Sequence, residues 1–279
     1  MSSLRLSKGA LLSVGCVIPA RNEEKYLART LEFLYKQTIK PKIVVVVNDG
    51  SVDNTAYVAE RYGCVVVNLP FHRESWLGRP ELASVLNAGL KVLRSHDIDY
   101  VLILGADTLL PSNYIEKLIT YMERNKKVVI GSGRIFGERY RASFPRGSGR
   151  LVNASWWREL NNMKYPIIWG WESWLVFKAI QQGYEAKCFK DLIMFSQRKT
   201  KLSPLKAKYM GMAMKSLGYW MPFALARCFR ASIKSPKLGL YMLAGYFSKV
   251  NRADIASFVP EYQRKMLLQR ITSLILWKN

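Results

Sequence analysis

VVVVNDGSVDNT (residues 44–55) decides how the chain is read. Four consecutive valines predict a strand buried on both faces, as in the middle of a parallel sheet. The run then stops in Asn48-Asp49-Gly50-Ser51 and Asp53-Asn54-Thr55, all strong turn formers. A strand that ends in a polar turn before a helix brings backbone N–H groups and short carboxylates to the carboxyl edge of the sheet. Open α/β sheets bind ligands at that edge. The pattern therefore suggests a nucleotide site, and the plain alternative is a strand–turn–helix connection in which Ser51 or Asp53 only caps a helix.

Outward from that stretch, up to about residue 130, strand-like and helical runs alternate. SVGCVIP, IVVVVN, CVVVNL and DYVLILG read as strands, with NEEKYLARTLEFLYKQ, DNTAYVAERYG, ELASVLNAGLKVLR and PSNYIEKLITYMERN as helices around them. This is the signature of βαβ units and a mainly parallel sheet. Its strand ends deliver Pro19-Ala20-Arg21-Asn22-Glu23, Asn48-Asp49-Gly50-Ser51, Leu69-Pro70-Phe71-His72-Arg73 and Gly105-Ala106-Asp107 to one crevice. Beyond it, VVIGSGRIFGE reads as a strand and ERYRASFPRGSGRL as a basic loop. Residues 151–165 look helical, a helix is expected from near Glu172 to Gly183, and a short strand should follow.

Composition narrows the class. The 279 residues are 49% hydrophobic, enough for one sizeable α/β domain with an appendage. Lys and Arg number 43 against 20 Asp and Glu, a net charge of +23 that favours an anionic partner. Sixteen of those cations lie from Arg198 onward, opposed only by Asp254 and Glu261. Cys16, Cys64, Cys188 and Cys228 lack C-x-x-C spacing and only His72 and His96 accompany them, so no zinc pattern emerges and reduced thiols are expected. The N-terminal apolar residues lead into the first strand and are not read as a signal peptide. No uncharged apolar run reaches the ~18 residues of a spanning helix.

Residues 201–279 mix Met, Trp, Tyr, Phe and Leu with Lys/Arg, interrupted at Pro204, Pro222 and Pro236. Helices of this kind suit an anionic membrane surface, or else they pack on the main domain with their lysines in water. The expected organisation is an α/β domain over 1–200, in two halves of about 14–110 and 111–200, then a basic amphipathic region over 201–279.

Taken together, VIPARNEE, VVVVNDGSVDNT, ELASVLNAGL and DYVLILGADTLLPSNYIEKL resemble, in order and spacing, the GT-A-fold family 2 glycosyltransferases, the superfamily of dolichyl-phosphate mannose synthases and cellulose synthases. The resemblance covers about residues 14–197. It implies a GT-A fold, a nucleotide-diphospho-sugar donor, a divalent Mg2+ or Mn2+ cofactor, and transfer, mostly with inversion, to a lipid-linked or cell-surface glycan acceptor. By the same resemblance Pro19, Ala20, Arg21, Glu23 and Ala106 line the donor pocket, Asp49 accepts a hydrogen bond from the base, Arg79 is a candidate for the diphosphate, and Asp107 is the metal ligand. Glu172 falls on the catalytic base, and Trp169 and Trp171 lie on the acceptor side, within a run that also holds Trp156, Trp157 and Trp174.

Three departures stand out. Gly105-Ala106-Asp107 replaces the usual Asp-Ala-Asp, which leaves one carboxylate for an ion. Trp171 stands where an acid usually precedes the base. Ser196 or Gln197 meets the position of a common histidine. Two function classes follow: a membrane-associated glycosyltransferase at the cytoplasmic face, or a degenerate relative that binds nucleotide or an anionic polymer. Nucleic acid is not the expected partner, because the basic residues sit in Pro-interrupted amphipathic helices and no nucleic-acid motif is recognisable.

Overall fold

In the computed structural model, residues 12–138, 140, 142–199 and 202–276 are described, without the side chains of 270, 271 and 273–276. The N-terminal segment 1–11, where a leader was argued against, lies outside the described residues, as do Arg139 and Arg141 of the basic loop. Two compact units emerge. The first holds the described residues up to Ser75, Ser84–Tyr165 and Gly183–Lys199, and the second holds Trp76–Ala83, Pro166–Gln182 and the described residues from 202 onward.

The first unit is built on a sheet of eight strands: β1 (Val14–Ala20), β2 (Ile43–Asp49), β3 (Val65–Leu69), β4 (Tyr100–Ile103), β5 (Thr108–Leu109), β6 (Val128–Ile135), β7 (Arg150–Asn153) and β8 (Glu185–Ser196). Their order is β3-β2-β1-β4-β7-β6-β8-β5. The pairs β3–β2, β2–β1 and β1–β4 are all parallel, with Ala20 opposite Asn48 and Val17 opposite Ile103. The valine run is central, as its composition demands: Val44–Val47 are 4% exposed or less. Alternate residues of β1 serve opposite faces. Val14, Cys16 and Ile18 join the core under α1 (Glu24–Tyr35) and α4 (Tyr114–Arg124) through Leu27, Leu31, Leu34, Ile115 and Leu118. On the other face α3 (Glu81–Arg94) comes so close that a Cβ on Gly89 would stand 2.7 Å from Val17 Cγ1. Four parallel strands thus end on one edge, with α1, α2 (Thr55–Arg61) and α3 leaving from it.

Two elements depart from the sequence reading. Leu151 and Val152 belong to strand β7, antiparallel to both β4 and β6, and only then does α5 (Ala154–Asn161) begin. The switch is made by Asn153, whose side chain accepts from Trp156 N at 2.9 Å and caps α5. β8, expected to be short, runs for twelve residues because both β6 and β5 pair with it.

The second unit is helical: α6 (Trp171–Gln181), α7 (Pro204–Ser216), α8 (Met221–Lys234), α9 (Pro236–Phe247) and α10 (Phe258–Leu276). Pro204, Pro222 and Pro236 open helices instead of breaking them, since the first turn has no use for the missing N–H. α7 and α9 cross at two glycines: a Cβ on Gly211 would lie 2.0 Å from Met242 O, and one on Gly245 2.0 Å from Lys208 O. Only hydrogen fits between those backbones. Among the described residues no helix is long and apolar enough to cross a membrane.

Candidate active site

Most polar residues of the two N-terminal motifs hold the strand ends together. Asn22, at φ 52°, donates its N–H to Ser51 Oγ (3.0 Å) and accepts from Val52 N (2.9 Å) through its side chain. Glu23 N donates to Thr55 Oγ1 (2.8 Å), Glu24 N to Asp53 Oδ2 (3.2 Å), and Asn54 N to Glu24 Oε2 (3.0 Å). Asp53 also accepts from Thr55 N at 3.0 Å, just ahead of α2, whose N-cap residue is Asn54. Gly50 completes the joint: at φ 62°, a Cβ there would stand 2.7 Å from Pro70 O in the loop after β3.

With those residues engaged, Arg21, Glu23, Asp49 and Asp107 remain at the edge. Asp49 is 4% exposed, and its Oδ1 accepts from His72 Nε2 at 2.9 Å. The other carboxylate oxygen of Asp49 has no hydrogen bond among the described residues. The Arg21 guanidinium lies against the His72 imidazole and donates to Glu74 O at 2.6 Å. His72 thus joins Arg21 to Asp49. The sequence placed His72 in the crevice without a role, because a lone histidine in a loop carries no spacing signal.

Asp107 and Glu23 meet through Arg198, just past β8: Arg198 Nε donates to Asp107 Oδ2 at 2.8 Å and Nη2 donates to Glu23 Oε1. Burial pushes the Glu23 carboxyl above its ordinary range, and the guanidinium holds it back. Its other oxygen, Oε2, is buried without a partner among the described residues. Gln197 Nε2 donates to Tyr26 O and Thr30 Oγ1, both at 3.0 Å, and Ser196 Oγ donates to Arg198 O. Ala106 is buried, its carbonyl accepting from Thr30 Oγ1 at 2.7 Å, and Pro19 and Ala20 of β1 stand opposite Val47 and Asn48 of β2. Of the basic loop, Arg146 pairs with Glu138 at 2.7 Å, and Arg150 is buried, donating to Arg146 O and Pro145 O.

The donor set does not fit a divalent ion as it stands. Asp107 is engaged by a guanidinium, Gly105 offers nothing, and no group of three His, Cys, Asp or Glu side chains is gathered among the described residues.

The second unit carries Glu172, Arg79, Trp169 and Trp171. Gly170, at φ 81°, opens α6, so Glu172 sits in the first turn, where the helix dipole favours a carboxylate. Glu172 lines a cavity of about 420 Å³ whose wall is mostly apolar: Leu77, Leu82, Trp171, Met210, Met214 and Leu217, with Tyr209 and Tyr219. Lys206 and Arg227 supply its two cations. Trp171 Nε1 donates to Arg79 O (3.2 Å), and Trp169 packs on Tyr209 with ring centroids 5.1 Å apart. The Arg79 guanidinium meets the Glu81 carboxylate at 2.6 Å. Trp174 donates to Asp254, which also pairs with Lys178 at 2.7 Å. Burial raises the Asp254 pKa, but those two donors bring it below its ordinary value. Trp156 and Trp157 do not belong to this group: both are buried in the first unit, Trp157 edge-on to Tyr165 and Trp156 to Tyr184. Adjacency in sequence had grouped tryptophans that belong to two different units.

A mainly parallel sheet whose strand ends carry Asp49, Glu23 and Asp107 is of the GT-A type. The comparisons place it further. The family described as Glycosyl transferase family 2 matches residues 16–175, more than half the chain, and the chain belongs to that family. A 4,4'-diaponeurosporenoate glycosyltransferase of Staphylococcus aureus (strain bovine RF122 / ET3-1) is 43% identical over 68 residues, 24% of this chain and 18% of that protein. The match thus spans under a fifth of the relative's length. Among solved structures, S. aureus TarS 1-349 in complex with UDP shares the fold at TM-score 0.53 and 18% identity, over 72% of this chain and 64% of the other. The mannosyltransferase PcManGT from Pyrobaculum calidifontis, in complex with GDP-Man and Mn2+, does so at TM-score 0.57 and 16% identity, over 83% and 68%.

Proposed function

We propose that this chain transfers a sugar from a nucleotide-diphospho-sugar to an amphiphilic, lipid-borne acceptor at an anionic membrane surface. The observation that carries the acceptor reading is the cavity of about 420 Å³ in which one carboxylate, Glu172, stands among aromatic and aliphatic walls. Such a wall suits a hydrocarbon chain, and Lys206 and Arg227 suit an anionic group at its end. Family membership supports the donor, and the solved neighbours are described with UDP and with GDP-Man. The relatives named as 4,4'-diaponeurosporenoate glycosyltransferases are compatible with an acceptor of this kind.

In the transfer, the acceptor oxygen attacks the anomeric carbon as the bond to the diphosphate breaks. Glu172 takes the proton of an acceptor hydroxyl. Asp49 reads an N–H of the base with its remaining carboxylate oxygen. Negative charge grows on the departing diphosphate and calls for a fixed cation beside it.

Membrane contact is supported by α8, which is turned inside out relative to a core helix. Its small residues Ala224, Cys228 and Ala231 are buried, whereas Met221, Leu225, Phe229 and Ile233, spaced by four, are exposed, Phe229 at 71% and Ile233 at 74%. Arg230, Lys234 and Lys237 are exposed beside that stripe. Large apolar groups in water next to cations suit an anionic bilayer surface.

The test is transfer from UDP-sugars and GDP-mannose, labelled in the sugar, to a lipid extract, comparing the native chain with Glu172→Gln. Label that enters the organic phase with the native chain alone supports the reading. Donor binding without transfer to any lipid or glycan favours the degenerate, nucleotide-binding alternative.

A further inference from the structure

The pairing of Arg198 with Asp107 and Glu23 reaches beyond donor recognition. A guanidinium carries five N–H donors. Arg198 spends Nε on Asp107 and one Nη2 hydrogen on Glu23, and its Nη1 has no hydrogen bond among the described residues. The plane is steadied by Tyr26, whose ring centroid lies 5.2 Å from Cζ, while the side chain stays 44% exposed. It is therefore oriented, and donors remain open to solvent.

The place of a second carboxylate is also tight. A Cβ on Gly105 would stand 3.1 Å from both Ser148 Oγ and Thr108 Oγ1 and 3.3 Å from Asp107 Oδ1. Ser148 Oγ accepts from Gly105 N at 2.8 Å and donates to Thr108 Oγ1 at 2.7 Å, so that room is filled by a hydrogen-bonded pair. A divalent ion at Asp107 would share that carboxylate with the Arg198 guanidinium and would find one motif carboxylate instead of two.

We propose that Arg198 is the resident cation of the donor site: held by Asp107 and Glu23, it hydrogen-bonds the diphosphate through its remaining N–H groups, and nucleotide binding needs no divalent ion. This rests on the donor reading of the first unit. In the transfer, the electron pair of the broken anomeric C–O bond stays on the diphosphate, the new bond forms to the acceptor oxygen, and Arg198 neither gains nor loses a proton.

The experiment is calorimetric titration of UDP, and separately GDP, into the full chain, once in EDTA and once in Mn2+, with Mn2+ alone titrated in parallel. The better nucleotide should bind in EDTA with a Kd within about threefold of that in Mn2+, and the free protein should take up no Mn2+. Arg198→Ala should weaken binding in EDTA at least tenfold and Arg198→Lys less, because an ammonium keeps the charge and loses the fork. Binding that appears only with Mn2+ overturns this inference and leaves the donor reading intact. No binding of either nucleotide in either condition overturns both. The comparison on the native chain needs no variant, so a poorly folded Arg198→Ala does not blunt it. An Arg198→Ala protein that folds and keeps the native Kd in EDTA also overturns the proposal.

Discussion

Replacing Asp49 tests the donor edge at its most enclosed carboxylate. One oxygen is held by His72 Nε2 at 2.9 Å and the other is open to a base N–H. Asp49→Asn keeps the side chain's shape and an acceptor for His72, but turns an amide N–H toward the base where a carboxylate oxygen stood. The variant should fold with near-native stability. Its nucleoside diphosphate affinity should fall by the value of one charged hydrogen bond, about 1.5–3 kcal/mol, which is roughly 10- to 100-fold in Kd. Asp49→Ala should lose a similar amount of affinity and, in addition, about 1 kcal/mol of stability, because the hydrogen bond from His72 Nε2 to the carboxylate is lost. Calorimetry with UDP and GDP gives the first quantity and urea denaturation the second. A native Kd in Asp49→Asn would refute the assignment of base recognition to this residue.

Other outcomes follow from the same geometry. Glu172→Gln should lower turnover with a hydroxyl acceptor by about 100-fold or more, as expected for a lost general base, while nucleotide affinity stays native; steady-state kinetics reads both. Gly50→Ala should destabilise the first unit by about 1–3 kcal/mol, because its φ of 62° and a Cβ only 2.7 Å from Pro70 O act together; chemical denaturation checks it. The double variant Phe229→Ser/Ile233→Ser should release the chain from vesicles containing anionic lipid without changing nucleotide affinity, as measured by sedimentation, and the native chain should itself release partly as salt rises. The Glu23 carboxyl, raised by burial, has a folded pKa above its unfolded one, so ionising it opposes folding: the penalty is full above the folded pKa and disappears as pH falls below the unfolded one. Arg198→Ala, removing the guanidinium that holds the value down, should raise that pKa further, observable by carboxyl NMR.

The strands and helices of the first half were legible because their signals are local: unbroken valines for a two-faced strand, and Asn-Asp-Gly-Ser at its end. What escaped depended on distant partners. Leu151 and Val152 lie within a helical-looking stretch, and only the hydrogen bonds offered by β4 and β6 make them a strand. Asp107 was readable as a site carboxylate, yet its partner Arg198 lies 91 residues away in a basic run that gave no reason to single it out. His72 likewise reaches Asp49 across 23 residues. The cavity around Glu172 draws its wall from three separate stretches, near residues 77–82, 170–173 and 202–227, so no window of sequence contained it. The family resemblance supplied Glu172 itself.

The central claim, that the chain moves a sugar from a nucleotide donor to a lipid-borne acceptor, is tested most directly by nucleoside diphosphate release. Purified full chain is incubated with UDP-glucose, UDP-GlcNAc or GDP-mannose, with and without a membrane lipid extract, beside the Asp49→Asn and Glu172→Gln variants. The account predicts that one donor yields nucleoside diphosphate in proportion to added lipid, with the sugar recovered in the lipid phase, and that both variants lose most of that release. Release that ignores added lipid, or persists undiminished in both variants, would contradict it.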